Sequence, residues 1–193
     1  KVYRDRKCIY TTRKKIRYVS LFKNSGKKAG ASINHLHSQL IALPFCPLFW
    51  QVIGGYQEKR EMLLRVIFDM EKASLRLIFE NNEWIAFTPY SSMGPFEVWI
   101  LPRKHISYLG DCSDKLLFAL GNILKAILKS YGRVLGNPAF NYMLYQLSEA
   151  PEYHLNIRLF PRISANAGFE LGTGTYINTF SPERVAYYLR EIL

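Results

Sequence analysis

The sequence contains little cysteine and no long hydrophobic run. Its three cysteines, Cys8, Cys46 and Cys112, form neither a Cys-x-x-Cys pair nor a dense disulfide pattern. This excludes a disulfide-stabilised secreted scaffold, and because no secretory signal opens the chain we expect a cytoplasmic, reducing compartment. The longest apolar stretch, Ser38–Trp50, is interrupted by prolines and is shorter than the roughly 20 residues that a membrane span requires. We therefore predict a soluble protein without a membrane partner.

Acidic residues are also scarce, at 15 against 26 lysines and arginines, which gives a formal net charge of +11. The excess lies in Lys1–Lys28, where eleven basic residues stand against the single Asp5. Such a stripe fits phosphate-rich ligands, and it fits equally a solvated helix face followed by a strand end. The rest of the chain is nearly neutral, so we predict no specific nucleic-acid partner. Because the chain begins with Lys1 in what reads as the tail of a helix, we expect a fragment of something longer.

Histidine is scarce as well, yet two of the four histidines stand in the run His35-Leu36-His37-Ser38-Gln39. If Asn34–Leu43 is a strand, alternate side chains share one face and these two histidines project together with Gln39. The preceding loop offers backbone amides that can approach an anion closely, from Gly26, Ala29, Gly30, Ala31 and Ser32. The combination predicts a site that holds and attacks a phosphate. The alternative is a pair of partly buried histidines satisfied by backbone groups.

The imidazole of His37 is the candidate nucleophile, because an unperturbed pKa of about 6.5 leaves a ring nitrogen unprotonated near neutral pH. Its attack on the α-phosphorus of a nucleotide forms a phosphoramidate, which a second phosphate can reverse. Gln39 can donate a hydrogen bond to a non-bridging oxygen but cannot exchange a proton near neutrality. The pattern favours nucleotidyl transfer over hydrolysis.

Hydrophobic spacing predicts seven strands and three helices around a sizeable core, since 193 residues are 49% hydrophobic. The helices are Tyr56–Lys72, a long one capped by Ser113 and closed by Gly132 or Gly136, and a last one from Ser181 to Leu193. A glycine-rich segment, Ala167–Asn178, precedes the last helix. The predicted strands are Lys15–Phe22, Asn34–Leu43, Leu75–Glu80, Trp84–Pro89, Phe96–Leu101, Phe140–Leu147 and Tyr153–Phe160.

A weak internal repeat relates the two ends of this pattern. Ile16–Leu21 resembles Phe140–Tyr145, and His35-Leu36-His37 resembles His154-Leu155-Asn156. The second copy lacks the second histidine. We infer a duplicated unit in which one copy performs chemistry and the other supports structure or ligand binding.

The stretch Phe22–Gln39 closely resembles the active-site motif of galactose-1-phosphate uridylyltransferases, a branch of the histidine-triad superfamily. Three further stretches are similar to the same family: Pro95–Pro102 with His105, Tyr153–Pro161, and Gly168–Asn178. The resemblance implies an α+β fold with a histidine-triad-like antiparallel sheet and packed helices. It assigns residues 1–50 to the C-terminal part of a first unit, which carries the motif, and residues 51–193 to a complete second unit.

The resemblance also implies the site residues. His37 is the nucleophile that becomes nucleotidylated, and Gln39 steadies the phosphoryl oxygens. Hydrolases of the superfamily have a third histidine at the position of Gln39, so the transferase branch fits better. The implied substrate contacts are Asn24, Gly30, Ala31 and Ser32 for the nucleotide, and Gly168, Phe169, Leu171 and Gly172 for the hexose phosphate. In the family the latter segment can serve the neighbouring subunit, which implies a homodimer.

Zinc is the one cofactor that the resemblance raises, and no organic cofactor is implied. His35 matches a ligand of a first zinc site whose partners are absent from this chain. A second zinc site in some members uses a Cys-x-x-Cys pair, but Met62 and Arg65 stand there, and only His105 and His154 remain. Two ligands do not make a four-coordinate site, so we expect packing to take the place of this second metal.

The implied function is a nucleotidyltransferase of galactose metabolism that exchanges hexose 1-phosphates on UDP-glucose or a related nucleotide sugar. Two alternatives stay open from the sequence. One is a phosphorylase acting on ADP-glucose or a dinucleotide polyphosphate. The other is an inactive truncated relative that only binds nucleotide.

Overall fold

Seven antiparallel strands form one sheet, in the order β2-β1-β6-β7-β5-β4-β3, in a computed structural model that describes residues 16–33, 35–47, 67–147 and 153–193. The helices are α1 (Asp114–Leu135), α2 (Gly168–Thr173) and α3 (Pro182–Arg190), and short 3-10 turns lie at Lys27–Ala29 and Leu109–Asp111. The strands are β1 (Tyr18–Ser25), β2 (Gln39–Leu43), β3 (Leu77–Glu80), β4 (Trp84–Phe87), β5 (Val98–Pro102), β6 (Phe140–Tyr145) and β7 (Asn156–Pro161). The predicted α+β fold with an antiparallel sheet is confirmed.

Helix α1 forms where the sequence supplies a cap, an apolar stripe and a terminating glycine. The Ser113 hydroxyl accepts a hydrogen bond from the Leu116 amide at 3.2 Å, and Gly136 adopts a left-handed conformation (φ 69°) after the last turn. Of the two predicted stops, the structure uses Gly136. The stripe Leu116, Leu120, Ile123, Ile127 and Tyr131 is buried.

Helices α1 and α3 cover one face of the sheet, where most of the core lies. Trp84 is fully buried there and donates from its indole nitrogen to the Leu116 carbonyl at 2.9 Å, which ties α1 to β4. α3 begins as predicted, with Ser181 as cap and Pro182 in its first turn, but it ends at Arg190 rather than Leu193. In the part of the chain that the structure describes, no helix has both the length and the apolar character needed to cross a membrane.

The opposite face, which we call the front face, holds a smaller apolar cluster of Ile85, Phe87 and Leu101 under a helical segment that ends at Glu71. Successive residues of a strand alternate between the faces, so one row of paired residues can be followed across six strands. That row runs along the front face: Gln39, Phe22, Met143, Arg158, Trp99 and Phe87.

Two predicted strands have different bounds in the structure. β1 extends through Ser25, three residues beyond the predicted end at Phe22, because Lys23–Ser25 pair with β6. β2 begins at Gln39, so His35–Ser38 are not in a strand. The His35 carbonyl accepts a hydrogen bond from the His37 side chain instead, so it does not need a partner on a neighbouring strand. Asn34, most of the predicted helix Tyr56–Lys72 and the predicted boundary at residue 50 lie outside the described residues.

Candidate active site

His37 is half-buried, and its two ring nitrogens have different partners. Nδ1 lies 2.7 Å from the His35 carbonyl oxygen, and because a carbonyl can only accept, Nδ1 carries the proton of the neutral ring. Nε2 therefore holds the lone pair. The amide nitrogen of Gln39 lies 3.4 Å from Nε2, long for a hydrogen bond, so a phosphoryl group can displace it at little cost. This arrangement selects the tautomer in which Nε2 carries the lone pair that a nucleophilic role requires.

The structure brings His37 and Gln39 together but not through the shared strand face that the alternation predicts. That expectation is wrong for His35 and His37, which precede β2. His35 is exposed and contributes its carbonyl oxygen, rather than its ring, to the arrangement. Gln39, at the first position of β2, pairs with Phe22 and so lies on the front face.

Ser38 lies between His37 and Gln39 and holds this bend from the helix-covered side of the sheet. Its hydroxyl lies 2.7 Å from the hydroxyl of Tyr142, whose side chain packs against the helix-covered core. Tyr142 pairs with Lys23 and Leu159 in the middle of the sheet. The motif is therefore tied to a central strand more than a hundred residues away.

The loop after β1 uses its backbone amides differently from the prediction. The amides of Ala29 and Ala31 donate to the Gly26 carbonyl, and the amide of Gly30 donates to Lys27. These bonds close a turn in which Gly26 (φ 84°) and Gly30 (φ 80°) are left-handed. The expectation that these three amides face an anion is thus wrong in this conformation, because the turn itself consumes them.

Other donors surround the loop. Lys27, Lys28 and Ser32 are exposed, and Asn24 precedes the turn on β1. The Asn24 side-chain nitrogen would lie 3.8 Å from a Cβ on Gly30, so the amide and the glycine adjoin. A phosphate held here meets lysine charge and side-chain donors rather than a nest of backbone amides. The assignment of Asn24, Gly30, Ala31 and Ser32 as nucleotide contacts stays a prediction.

The predicted hexose-phosphate segment forms a short helix, α2. Its hydrogen bonds are internal: the Ala167 amide donates to the Glu170 carboxylate, and the Thr173 hydroxyl donates to the Phe169 carbonyl. Phe169 is 54% and Leu171 75% exposed, and space is open around Gly168 and Gly172. No hydrogen bond among the described residues joins α2 to His37 or Gln39.

Metal ligands do not converge in the described part of the chain, where no three His, Cys, Asp or Glu side chains are grouped for an ion. His105 and His154 do meet, with ring centroids 5.2 Å apart. However, His154 Nε2 donates to the Pro102 carbonyl at 2.8 Å, and the Phe68 ring stacks on His154 with centroids 6.2 Å apart. Burial lowers the pKa of His154, with a smaller contribution from neighbouring His105. These residues do not fit a zinc site.

A second polar cluster occupies the equivalent position in the other half of the sheet, and the sequence reasoning missed it. Two residues after Asn156, as Gln39 is two after His37, Arg158 is nearly buried between the rings of Trp99 (3.8 Å) and Tyr145 (4.3 Å). Its Nε donates to the Asn156 side chain at 3.1 Å. Stacking of the guanidinium on two aromatic rings stabilises the fold, and Asn156 stands at the position that the repeat matches to His37.

Glu97 lies in the same cluster and is 1% exposed. It accepts hydrogen bonds from the Trp99 indole and the Met93 amide, both at 2.6 Å. Burial raises the pKa of Glu97, although both donors and the charge of Arg158 oppose the shift. Only the repeat could have pointed to this cluster, and it does not indicate that an arginine replaces the glutamine.

The chain matches one family model over residues 4–192, described as "Domain of unknown function (DUF4921)". An ADP-glucose phosphorylase of Arabidopsis thaliana is 34% identical over 184 residues, covering 92% of this chain and 52% of that protein. A galactose-1-phosphate uridylyltransferase of Thermotoga maritima is 30% identical over 195 residues, covering 91% and 60%. The chain thus spans about half to three-fifths of the length of these relatives.

Comparison with solved structures gives similar matches. A crystal structure of an ADP-glucose phosphorylase from Arabidopsis thaliana with bound ADP-glucose has a TM-score of 0.89 at 32% identity, covering 100% of this chain and 65% of that one. A Hit-like protein from Bartonella henselae has a TM-score of 0.52 at 19% identity, covering 68% and 95%, which shows the shared fold alone. The chain therefore belongs to the family described as "Domain of unknown function (DUF4921)", and it is similar to an ADP-glucose phosphorylase and to a galactose-1-phosphate uridylyltransferase over part of their length.

Proposed function

We propose that the protein is a nucleotidyltransferase that carries a nucleotidyl group on Nε2 of His37. The observation that carries this proposal is the hydrogen bond from His37 Nδ1 to the His35 carbonyl, which leaves the Nε2 lone pair directed toward Gln39. Here one nitrogen is held and the other has only a long contact to an amide.

The reaction has two displacements. In the first, Nε2 attacks the α-phosphorus of a nucleotide sugar, the bond from that phosphorus to the bridging oxygen breaks, and hexose 1-phosphate leaves with the electron pair. In the second, a phosphate oxygen of the acceptor attacks the same phosphorus and the phosphorus–nitrogen bond breaks. Gln39, having no titrating proton, donates to a non-bridging oxygen in both steps. Positioning and donor alignment are the main contributions that the protein makes.

Two versions of this function differ in the molecule that accepts the nucleotidyl group. In the first, a hexose 1-phosphate accepts the nucleotidyl group, as in the exchange between UDP-glucose and galactose 1-phosphate. In the second, inorganic phosphate accepts an adenylyl group, so that ADP-glucose yields ADP and glucose 1-phosphate. The second version is supported by 34% identity to an ADP-glucose phosphorylase, against 30% to a uridylyltransferase.

The test is covalent labelling. Protein is incubated with UDP-glucose labelled in uracil or with ADP-glucose labelled in adenine, and protein-bound radioactivity is measured after denaturation. We expect label from one of the two, its release by galactose 1-phosphate or by inorganic phosphate, and loss of label in His37→Ala. The matched control His35→Gln removes the exposed ring while keeping the backbone carbonyl, and it should label normally.

Wild-type protein that takes up neither label, while still binding the nucleotide in a titration, would favour the third reading, an inactive relative that only binds nucleotide. Normal labelling of His37→Ala would remove His37 from its role.

Further predictions extend this proposal. Galactose metabolism and a cytoplasmic location follow from the uridylyl version and from the sparse cysteines. A homodimer follows from the family's use of the Gly168–Gly172 segment at the neighbouring site. Zinc at His35 stays a prediction that metal analysis by mass spectrometry can test, although no step above requires a metal.

A further inference from the structure

We propose that Asn141 and Arg162 are positioning residues that set the direction of the Asn24 side-chain amide, so that its NH2 group, and not its oxygen, faces the nucleotide phosphates. This rests on the proposed function, because it assumes that an anion is held beside Asn24. The sequence patterns assign no role in the site to Asn141 or Arg162. Both reach the site from the second half of the chain.

Hydrogen-bond chemistry decides the orientation of Asn141. One end of its amide lies 2.9 Å from the Ala29 carbonyl oxygen, which can only accept, so that end is the NH2 group. The other end lies 2.6 Å from Arg162 Nε, which can only donate, so that end is the oxygen. The two assignments agree and exclude the flipped amide.

The orientation passes on to Asn24. The Asn141 NH2 group also lies 2.7 Å from the Asn24 side chain, and a donor there requires that the Asn24 atom is Oδ1. The Asn24 NH2 group consequently lies at the other end, beside Gly30. A guanidinium at the rim thus determines, through one buried amide, which end of a second amide is presented to a ligand.

The hydrogen bonds from Arg162 through Asn141 to Asn24, which we call the relay, lie on the same face of the sheet as the proposed site. Asn24 and Asn141 are directly paired across β1 and β6. Asn24 follows Phe22 by two residues, so it shares the front face with Gln39, the partner of Phe22. Asn141 is 6% exposed, and the three hydrogen bonds leave it little freedom.

Arg162 is held at the exposed end of the relay. Its backbone amide donates to the Ala139 carbonyl at 2.7 Å, and its guanidinium lies 5.1 Å from the centre of the Phe160 ring. Among the described residues, no carboxylate forms a salt bridge with it. Its positive charge therefore acts on the Asn141 oxygen and strengthens the NH2 end as a donor.

Asn141→Asp is the direct test. A carboxylate accepts and cannot donate, so the Asn24 amide is expected to turn its NH2 group toward the new side chain and its oxygen toward the phosphate. The rate of His37 labelling at low substrate concentration should fall about tenfold or more, as for loss of a hydrogen bond to a charged group. Asn82→Asp, which adds the same charge at an exposed turn, should label as wild type.

A double-mutant cycle separates positioning from general damage. If Asn141 acts through Asn24, Asn141→Asp should have less than about a twofold effect in an Asn24→Ala background. Equal losses in both backgrounds would overturn the inference. Because a buried substitution can prevent folding, Arg162→Met provides a second probe at the rim. It should slow labelling, Arg162→Lys should recover part of the rate, and Arg133→Met, at an arginine bound to the Ile192 carbonyl, should not change it.

A binding measurement keeps the inference distinct from the proposed function. The Asn24 side-chain NH2 signals are identified in nitrogen–proton NMR spectra by comparison with Asn24→Ala, and ADP is titrated in. We expect these signals to shift in the wild type and not in Asn141→Asp. Equal shifts in both proteins would overturn the relay whether or not His37 is labelled, whereas failure of labelling alone would overturn only the proposed reaction.

Discussion

His154 has a structural role that its burial and its hydrogen bond define. Its Nε2 donates to the Pro102 carbonyl at the end of β5, and its ring packs between His105 and Phe68. The buried imidazole ring of His154 stabilises the fold in its neutral form.

Stability should therefore decrease in mild acid. Burial lowers the pKa of His154 in the folded state, so between that lowered pKa and about 6.5 the unfolded chain binds more protons. The free energy of unfolding should fall as pH drops below about 6.5, with a slope of at most about 1.4 kcal/mol per pH unit from this group. Urea unfolding between pH 7 and pH 5 measures it. His154→Gln, which can still donate to Pro102, should reduce the slope, and exposed His35→Gln should not. An unchanged slope in His154→Gln would contradict the assignment.

Candidate residues that stand close together in the sequence can be found from a motif, whereas residues that only folding brings together cannot. His37 and Gln39 stand two positions apart, so the motif identifies both. Asn141 and Tyr142 contact the motif across 117 and 104 positions, and nothing in their local sequence distinguishes them from ordinary strand residues. The loop amides were misassigned because a single sequence does not show which amides a turn uses.

Helix α1 tests how much an element depends on its cap. Ser113→Ala removes the acceptor for the Leu116 amide, and we expect a loss of about 1 kcal/mol in the free energy of unfolding. Chemical denaturation measures the change. Ser164→Ala removes a hydroxyl from an exposed loop position and should have little effect. Equal losses in both variants would mean that the hydroxyl of Ser113 does not cap the helix.

The bend before β2 depends on a second element, β6. Tyr142→Phe removes the hydroxyl that meets Ser38, and a loss of about 0.5–1.5 kcal/mol in local stability is expected. Amide hydrogen exchange at Ser38 and Gln39 should become faster, and adding Ser38→Ala should cause no further change. Tyr187→Phe, at an exposed tyrosine of α3, is the matched control. Unchanged exchange in Tyr142→Phe would show that the bend is held by its own local bonds.

Element type could be predicted more reliably than element bounds. The caps and stripe of α1 are local signals: they identify its start at Ser113 and leave two glycines, Gly132 and Gly136, as its possible end. β1 was placed about three residues too early because its end is set by pairing with β6 and not by its own alternation. β2 was extended too far for the opposite reason, since alternating residues before Gln39 find no partner in β1.

At the scale of the whole molecule, the pairing registers refine the internal repeat. Gln39 pairs with Phe22 and Arg158 pairs with Met143, so matching His37 to Asn156 also matches Phe22 to Met143. The repeat proposed from the sequence alone matched Leu21 to Tyr145 and was therefore three residues out of register. Because β1 and β6 pair at the junction, the two predicted copies share one continuous sheet, and Gln39 and Arg158 lie on the same face.

The exposed apolar surface of α2 and the segment after it leads to the last prediction, a homodimer. Phe169 and Leu171 are exposed on α2, and Tyr176 and Ile177 follow it. Large apolar side chains grouped in this way are costly to hydrate and are typical of contact sites. We expect sedimentation velocity at micromolar concentration to show a dimer and Leu171→Glu to shift it toward monomer. Phe118→Glu, at a comparably exposed position on α1, should leave the dimer intact. A monomeric wild type, or equal effects of the two variants, would remove α2 from the interface and with it the proposal that the Gly168–Gly172 segment serves the neighbouring site.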